Sequence, residues 1–216
     1  MSVQALNAQY LYYLLKYPLL TKSITSGILN GLNEIVSSVL TNEYQETSIF
    51  GMKVKHIFSS KLLKMIIYGS LISTPISHNM YSVINKNFKA PLTPKQKVLQ
   101  LLTSLLTVTP TLSVCFVSWI SLINNYAPTK GTNICGELKR IVYTIKMGLK
   151  KGLPPVLRSS LVTSFLALIA AQKFVHPDLW VVFFSLIYFV LGTFQNTKLK
   201  RLQKQQKLKE LDKKDI

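Results

Sequence analysis

Residues 62–84 constrain the fold of this chain more than any other segment. Their sequence, LLKMIIYGSLISTPISHNMYSVI, is mostly apolar and close to the roughly 20 residues that a helix needs to cross the hydrocarbon core of a bilayer. Polar side chains recur in it at helical spacing and therefore share one face: Ser70, Ser73, Ser77 and Tyr81, with Thr74 and His78 beside them. A polar face of this kind has to meet protein or water, so the segment predicts neighbouring helices.

The composition indicates a membrane protein. Only 16% of the 216 residues are charged and 48% are hydrophobic, whereas a soluble domain has about a quarter of its residues charged. The net charge is +18, but the basic residues flank the apolar runs and form no single stripe with aromatic residues, so nucleic acid is not an expected partner. Positive charge beside apolar helices is typical of loops that contact anionic lipid.

The apolar runs predict an all-α fold, a polytopic integral membrane helix bundle in one domain at residues 1–197. The last two runs are short and joined by a tight turn, so the sequence allows four or five membrane helices. The candidate helices cover residues 19–40, 62–84, 98–123, 157–172 and 179–195.

Three segments are expected outside these helices. Residues 41–61 have the composition of a polar linker. Residues 137–151 predict an amphipathic basic helix on the membrane surface, which Gly152 and the pair Pro154–Pro155 are expected to end. Residues 198–216 form a basic C-terminal tail, expected to be a helical extension that becomes disordered, and their lysine content predicts the cytosolic side. Lys213 and Lys214 have the form of a dilysine retrieval signal, although a tail this rich in lysine produces that form by chance as well.

Residues 19–40 carry polar groups that need an explanation. Glu34 would be costly at membrane depth unless it is paired, protonated or facing water. Gly27 and Gly31 form a small-xxx-small step that lets another helix approach closely. Pro110, in the third run, is expected to kink its helix. These features are compatible with an aqueous path and equally with a well-packed bundle, and Glu34 fits a structural ion pair as well as a transport role.

Motifs along most of the chain resemble the 22-kilodalton peroxisomal membrane protein family. They are Tyr10-Leu11, Leu14, Pro18-Leu19, Thr21-Lys22, Ile24-Thr25, Gly27, Gly31 and Glu34, then Leu62-Leu63-Lys64, Gly69, Pro75 and His78, and finally Pro110, Lys173-Phe174-Val175, Ser185, Gly192 and Phe194. The chain departs from the family pattern at Ser38, where a glutamine is expected, and at Thr74, where a glycine is expected. It therefore resembles a divergent member.

The resemblance implies a multi-pass protein of the peroxisomal membrane, with the mitochondrial inner membrane and the endoplasmic reticulum as alternatives. Family members are linked to the passage of small water-soluble metabolites through a pore. The implied partners are the lipid bilayer, the peroxisomal membrane-protein import machinery and further copies of the chain in a homo-oligomer. The candidates for pore-lining or buried polar positions are Asn30, Glu34, Ser73, His78 and Thr107, and those for helix packing are Gly27, Gly31, Pro75 and Pro110.

Two other functional classes are alternatives to the pore. A structural or tethering membrane protein would recruit partners through its basic loops and tail. An enzyme is not expected, because the sequence has no paired carboxylates, no nucleophile with a base and no glycine-rich phosphate loop. No cofactor is expected either. His78 lacks a second ligand at chelating spacing, so no metal site is predicted and a hydrogen-bonded structural histidine is the simpler interpretation.

Overall fold

The computed structural model describes residues 3–49, 52–88, 91, 93–127, 133–174 and 180–212. The chain is nearly all helical, which confirms the predicted helical class. Its elements in chain order are α1 Val3–Lys16, α2 Pro18–Leu40, β1 Gln45–Ile49, β2 Met52–His56, α3 Ser60–Ile67, a π-helical segment Tyr68–Ser73, α4 Thr74–Asn87, α5 Pro94–Asn125, α6 Ile134–Phe174 and α7 Trp180–Asp212.

A small β-hairpin replaces part of the predicted linker at residues 41–61, and the all-α prediction was wrong in this detail. β1 and β2 pair antiparallel, with Gln45 opposite His56 and Ile49 opposite Met52. Valine, isoleucine and threonine favour extended backbone, and they recur in QETSI and MKVKH. Glu46 and Lys55 are cross-strand partners whose charged groups lie 3.6 Å apart and exposed.

Residues 62–84 form one helical run with a widened turn in its middle. Pro75 has no backbone N–H, so the carbonyl of Leu71 cannot receive its usual helical hydrogen bond. The turn before it opens to a π-helix, in which the backbone N–H of Thr74 donates to the carbonyl of Gly69. The hydroxyl of Thr74 donates to the same carbonyl at 2.8 Å. Such insertions are frequent at functional sites, and this one brings Tyr68 into the bundle core.

α6 is a single helix of 41 residues, so the predicted break between residues 137–151 and 157–172 is not present. Pro154 and Pro155 remove only the hydrogen bonds to the carbonyls of Lys150 and Lys151. Gly152 is buried, and a Cβ added there would lie 3.0 Å from Val117 and 3.2 Å from Leu199. Close packing against α5 and α7 therefore holds the helix together where local propensity would end it.

The last predicted membrane helix ends at residue 195, and in the structure α7 continues from it without a break to Asp212. Leu199 and Lys200, which the sequence placed in the basic tail, are buried in the bundle. Residues 196–212 contain no proline or glycine, so no local signal stops the helix. Lys213 and Lys214 lie outside the described residues.

The distribution of polarity is the reverse of that in a soluble protein. Among the described side chains, buried polar residues outnumber buried apolar ones. Large apolar side chains are instead exposed on the outside of the helices, where a bilayer can cover them. Those more than half exposed include Leu63, Leu71, Leu106, Val142, Val162, Leu166 and Val190.

Two helices in the described part of the chain are long and apolar enough to cross a membrane by themselves, Val98–Asn125 and Ile134–Ala170. Length and composition alone are a weak criterion for one or two such helices. The prediction of four or five crossings therefore stays a prediction.

Candidate functional site

A buried ion pair joins α2 to α7. The Lys200 ammonium lies 2.7 Å from Oε1 of Glu34, and both side chains are almost completely buried. Ser38 bridges them, because its hydroxyl donates to Glu34 Oε1 at 3.2 Å and accepts from Lys200 at 2.9 Å. Nδ2 of Asn196 donates to the second oxygen of Glu34 at 2.8 Å. The buried carboxylate is thus fully compensated, as a charge in this position must be.

Helical spacing explains why these groups meet. Glu34 and Ser38 are four residues apart on α2, and Asn196 and Lys200 are four residues apart on α7. Side chains at this spacing lie one above the other on one face. The two faces then exchange side-chain hydrogen bonds across the helix interface.

The pair continues toward the loop after α2. Lys200 also lies 3.4 Å from Glu43, which in turn lies 3.4 Å from Lys61. Burial raises the pKa of Glu43, but the nearby ammonium groups of Lys200 and Lys61 outweigh this effect and hold the pKa below its usual value. Glu43 is therefore ionised at neutral pH, and Lys200 sits between two carboxylates.

Further polar contacts attach α7 to both of its neighbours. The Thr193 hydroxyl donates to Asn33 of α2. Nε2 of Gln195 donates to the Ser160 hydroxyl of α6 at 2.7 Å and to the Val156 carbonyl at 3.3 Å. Side-chain hydrogen bonds of this kind, together with packing, hold helices together where lipid provides no hydrophobic driving force.

The helices line a partly open cavity of about 670 Å³. Its wall combines apolar surface with hydroxyl and amide groups from α2, the π-helical segment, α4, α5, α6 and α7. The polar lining residues include Ser26, Asn30, Asn33, Ser73, Ser77, Thr109, Ser113, Ser160 and Asn196, and Lys22 is exposed at the rim. We call this space the larger cavity.

A second cavity of about 570 Å³ lies between α5, α6 and α7. Its lining residues include Val117, Asn124, Tyr143, Gly148, Lys151 and Leu202. A Cβ at Gly148 would collide with the side chain of Ser121, so α5 and α6 approach each other closely here. We call this space the smaller cavity.

The residues singled out from the sequence fall into different environments. Asn30 and Ser73 line the larger cavity, and Glu34 is buried beside it in the ion pair. His78 is partly buried on α4 and Thr107 is exposed on α5, and neither is among the residues that line the two cavities.

The residues predicted to mediate helix packing also lie in different parts of the fold. Gly27 and Gly31 lie where α2 crosses α3 and the π-helical segment, and a Cβ at Gly31 would come within 2.9 Å of Ile66. Pro75 is in the first turn of α4, and Pro110 is inside α5.

Sequence reasoning missed the partners of Glu34. Asn196 lies just after the predicted end of the last membrane helix, and Lys200 lies in the segment predicted as a basic cytosolic tail. The available signal was the spacing of Thr193, Asn196 and Lys200, which continues one helical face past residue 195. Among the described residues no group of three histidine, cysteine, aspartate or glutamate side chains could hold a metal ion.

No family model and no solved structure matches the chain. It is 35% identical to the Woronin body membrane protein wscA of Aspergillus fumigatus over 91% of this chain and 78% of that protein. It is 32% identical to the Woronin sorting complex protein of Neurospora crassa over 89% of this chain and 57% of that protein.

The resemblance to the 22-kilodalton peroxisomal membrane proteins is supported at a distant level. Identity to peroxisomal membrane protein PMP22 of Arabidopsis thaliana is 24%, over 64% of this chain and 66% of that protein. The two fungal relatives are more similar to the chain than this plant protein. The chain therefore belongs to the family of the Woronin body membrane protein wscA, a group of peroxisome-associated membrane proteins.

Proposed function

We propose that this protein is a multi-pass protein of a peroxisome-associated membrane whose helix bundle provides a path for small water-soluble metabolites. In this proposal α2, α5, α6, the run from α3 to α4, and the first half of α7 cross the bilayer. The peroxisome-associated relatives support the location. The exposed apolar side chains and the polar interior support the arrangement in lipid.

The larger cavity is the observation that carries this proposal. Its volume of about 670 Å³ is within the range of about 300–1,000 Å³ that holds small molecules. Hydroxyl and amide groups such as those of Asn30, Ser73 and Ser113 can replace part of the hydration shell of a polar solute. In this proposal the protein lines a path and supplies no chemistry, so it is not an enzyme.

A bulky residue at the cavity wall tests the path. We expect Thr109→Trp to reduce solute flux through reconstituted liposomes by about tenfold or more, because Thr109 lines the larger cavity and a bulky apolar indole there narrows the passage and removes a hydroxyl from its wall. The measurement is release of a radiolabelled small polar solute from liposomes that contain the purified protein.

Thr107→Trp is the matched control, because Thr107 lies on the same helix and is exposed outside both cavities. We expect this variant to keep the wild-type flux. Wild-type liposomes that are no more permeable than empty ones would overturn the path. Wild-type flux in Thr109→Trp would show that the larger cavity is not the route.

A second candidate function is a role in sorting or tethering. The protein would then bind partners, such as the import machinery for peroxisomal membrane proteins, as a monomer or as a homo-oligomer. It is favoured by the 32% identity to a protein named Woronin sorting complex protein and by exposed Lys198, Arg201 and Lys204 on α7. Its test is affinity purification with the variant Lys198→Gln/Arg201→Gln/Lys204→Gln, which removes the exposed charges and keeps Lys200 in the bundle. Unchanged recovery of partners would count against it.

A further inference from the structure

The smaller cavity lies where the helices leave the uncharged part of the bundle. α6 has 41 residues and is about 60 Å long at 1.5 Å per residue, which is twice the roughly 30 Å of a hydrocarbon core. Its residues 159–172 and residues 180–197 of α7 carry no charged side chain, so these parts are suited to lipid. The cavity is formed instead by residues within 143–152 of α6, 199–203 of α7 and 117–125 of α5. In the bilayer arrangement proposed above, it therefore lies at the level of the lipid headgroups.

Exposed basic side chains lie at this level of the bundle. They are Lys146 and Lys150 on α6 and Lys198, Arg201 and Lys204 on α7. Residues 143–152 and 198–204 include no aspartate or glutamate. Basic side chains beside membrane helices attract the headgroups of anionic phospholipids. The surroundings of the smaller cavity therefore favour an anionic ligand over a cationic one.

Part of the cavity wall consists of hydrogen-bond acceptors. The Ser121 hydroxyl donates to the Val117 carbonyl at 2.7 Å, and the Thr144 hydroxyl donates to the Arg140 carbonyl at 2.9 Å. Any further hydrogen bond of these two hydroxyls is one that they accept. Oδ1 of Asn124 is buried and has no donor among the residues that the structure describes. A buried acceptor without a donor is costly, so this part of the wall favours a ligand that brings donors.

A second part of the wall is apolar. It is formed by Val117, Ile120, Met147, Leu199 and Leu202, and three of these residues belong to the buried core cluster. A ligand that matches both parts carries hydrogen-bond donors at one end and apolar groups at the other. Among phospholipid headgroups the donors are ammonium or hydroxyl groups, and the basic surroundings repel an ammonium group. Hydroxyl groups are therefore the donors that fit.

We propose that the smaller cavity binds an anionic phospholipid with a polyhydroxyl headgroup, such as phosphatidylinositol. Hydroxyl groups of the headgroup donate to Asn124 and Thr144, its phosphate lies among the exposed basic side chains, and the start of its acyl chains contacts Leu199 and Leu202. The volume of about 570 Å³ is within the range of about 300–1,000 Å³ that holds small molecules. This inference rests on the bilayer arrangement of the proposed function and not on its path.

Binding of short-chain lipids to the full-length protein in uncharged detergent micelles tests the site. We expect saturable binding of dioctanoyl phosphatidylinositol in isothermal titration calorimetry. Its affinity should be about fivefold or more above that of dioctanoyl phosphatidylserine, which has the same net charge but no hydroxyl groups on its headgroup. Inositol 1-phosphate, which has the headgroup without the acyl chains, should bind more weakly than the lipid because it leaves the apolar wall uncovered.

Two variants remove acceptors from the cavity wall. Asn124→Leu and Thr144→Val should each weaken the binding of phosphatidylinositol by about threefold or more. Asn124→Leu replaces an acceptor that lacks a donor, so it should unfold no more easily than the wild type, which circular dichroism checks. Thr107→Val is the matched control, because Thr107 also donates to the carbonyl four residues before it and lies outside both cavities. This variant should keep the wild-type affinity.

Each of three outcomes would overturn the inference. Equal affinity for the inositol and serine lipids would show that charge alone is recognised. Equal affinity for inositol 1-phosphate and the lipid would show a site for a soluble ligand. Wild-type affinity in both Asn124→Leu and Thr144→Val would show that the lipid binds elsewhere. The proposed path is tested separately by flux, so liposomes without flux would overturn the path and leave this lipid site standing.

Discussion

Lys200→Met is expected to lower the free energy of unfolding by about 3–5 kcal/mol, because it leaves the buried carboxylate of Glu34 without its counter-ion. The hydrogen bonds from Ser38 and Asn196 remain, but neither supplies a positive charge. The second contact of Lys200, to Glu43, disappears at the same time. The measurement is unfolding of the purified protein in mixed micelles as the fraction of denaturing detergent is raised.

The double variant Glu34→Leu/Lys200→Met separates the loss of the pair from the cost of an unpaired charge. Replacing both partners by apolar side chains is often neutral or stabilising, so the double variant is expected to recover most of the lost stability. Lys55→Met removes the exposed partner of Glu46 and is expected to cost less than about 1 kcal/mol. An effect of Lys200→Met as small as that of Lys55→Met would contradict the buried pair.

Gly69→Ala is expected to lower the melting temperature of the protein, with a cost of about 1–3 kcal/mol or more. The added Cβ would come 2.5 Å from the Ser26 carbonyl oxygen and 2.5 Å from Nδ2 of Asn30. The carbonyl belongs to the backbone of α2 and cannot turn aside, so the two helices have to separate. Thermal unfolding followed by circular dichroism measures the change.

Gly27→Ala is the matched control for this contact. The nearest atom to its added Cβ is 3.3 Å away on Ser70, which is tight but not a collision. Both substitutions gain about 1 kcal/mol of helix propensity, so their difference reports the contact alone. Equal melting temperatures for the two variants would show that α2 and the π-helical segment are not packed as described.

The sequence predicted those structural features for which physical chemistry allows few arrangements. The polar face on residues 62–84 required neighbouring helices, and Glu34 required a partner, water or a proton. The identity of that partner was not predictable from local patterns, because Lys200 is 166 residues away and sits in a stretch whose composition is that of a solvated tail. Only the packing of α7 against α2 identifies the partner of Glu34.

Thr107 shows why a hydroxyl row is weak support for a pore. Thr103, Thr107 and Thr111 are spaced four residues apart and share one helix face, but the structure leaves Thr107 exposed on α5. Its hydroxyl donates to the carbonyl of Thr103 at 2.7 Å within the same helix. A threonine that satisfies its own hydroxyl in this way can face lipid at little cost, so the row does not identify a wet surface.

The helix break expected at Gly152, Pro154 and Pro155 is not present in α6, because tertiary packing outweighs local propensity. Local propensity favours an end there, but Gly152 lets α6 pack tightly against Val117 and Leu199. The hairpin in residues 45–56 was missed because QETSI has a single apolar residue and no alternating pattern. The alternation in MKVKH alone does not predict a pair of strands.

The central claim is that apolar helix surfaces face lipid while the polar groups face one another. The most direct measurement is spin-label accessibility in liposomes, with a single cysteine label at Leu106 or Val162, both more than half exposed, after replacement of Cys115 and Cys135 by serine. The account predicts high collision rates with oxygen and low rates with a water-soluble nickel chelate, and the opposite for a label at exposed Lys204. Labels at Leu106 and Val162 that collide with the nickel chelate as often as the label at Lys204 would contradict it.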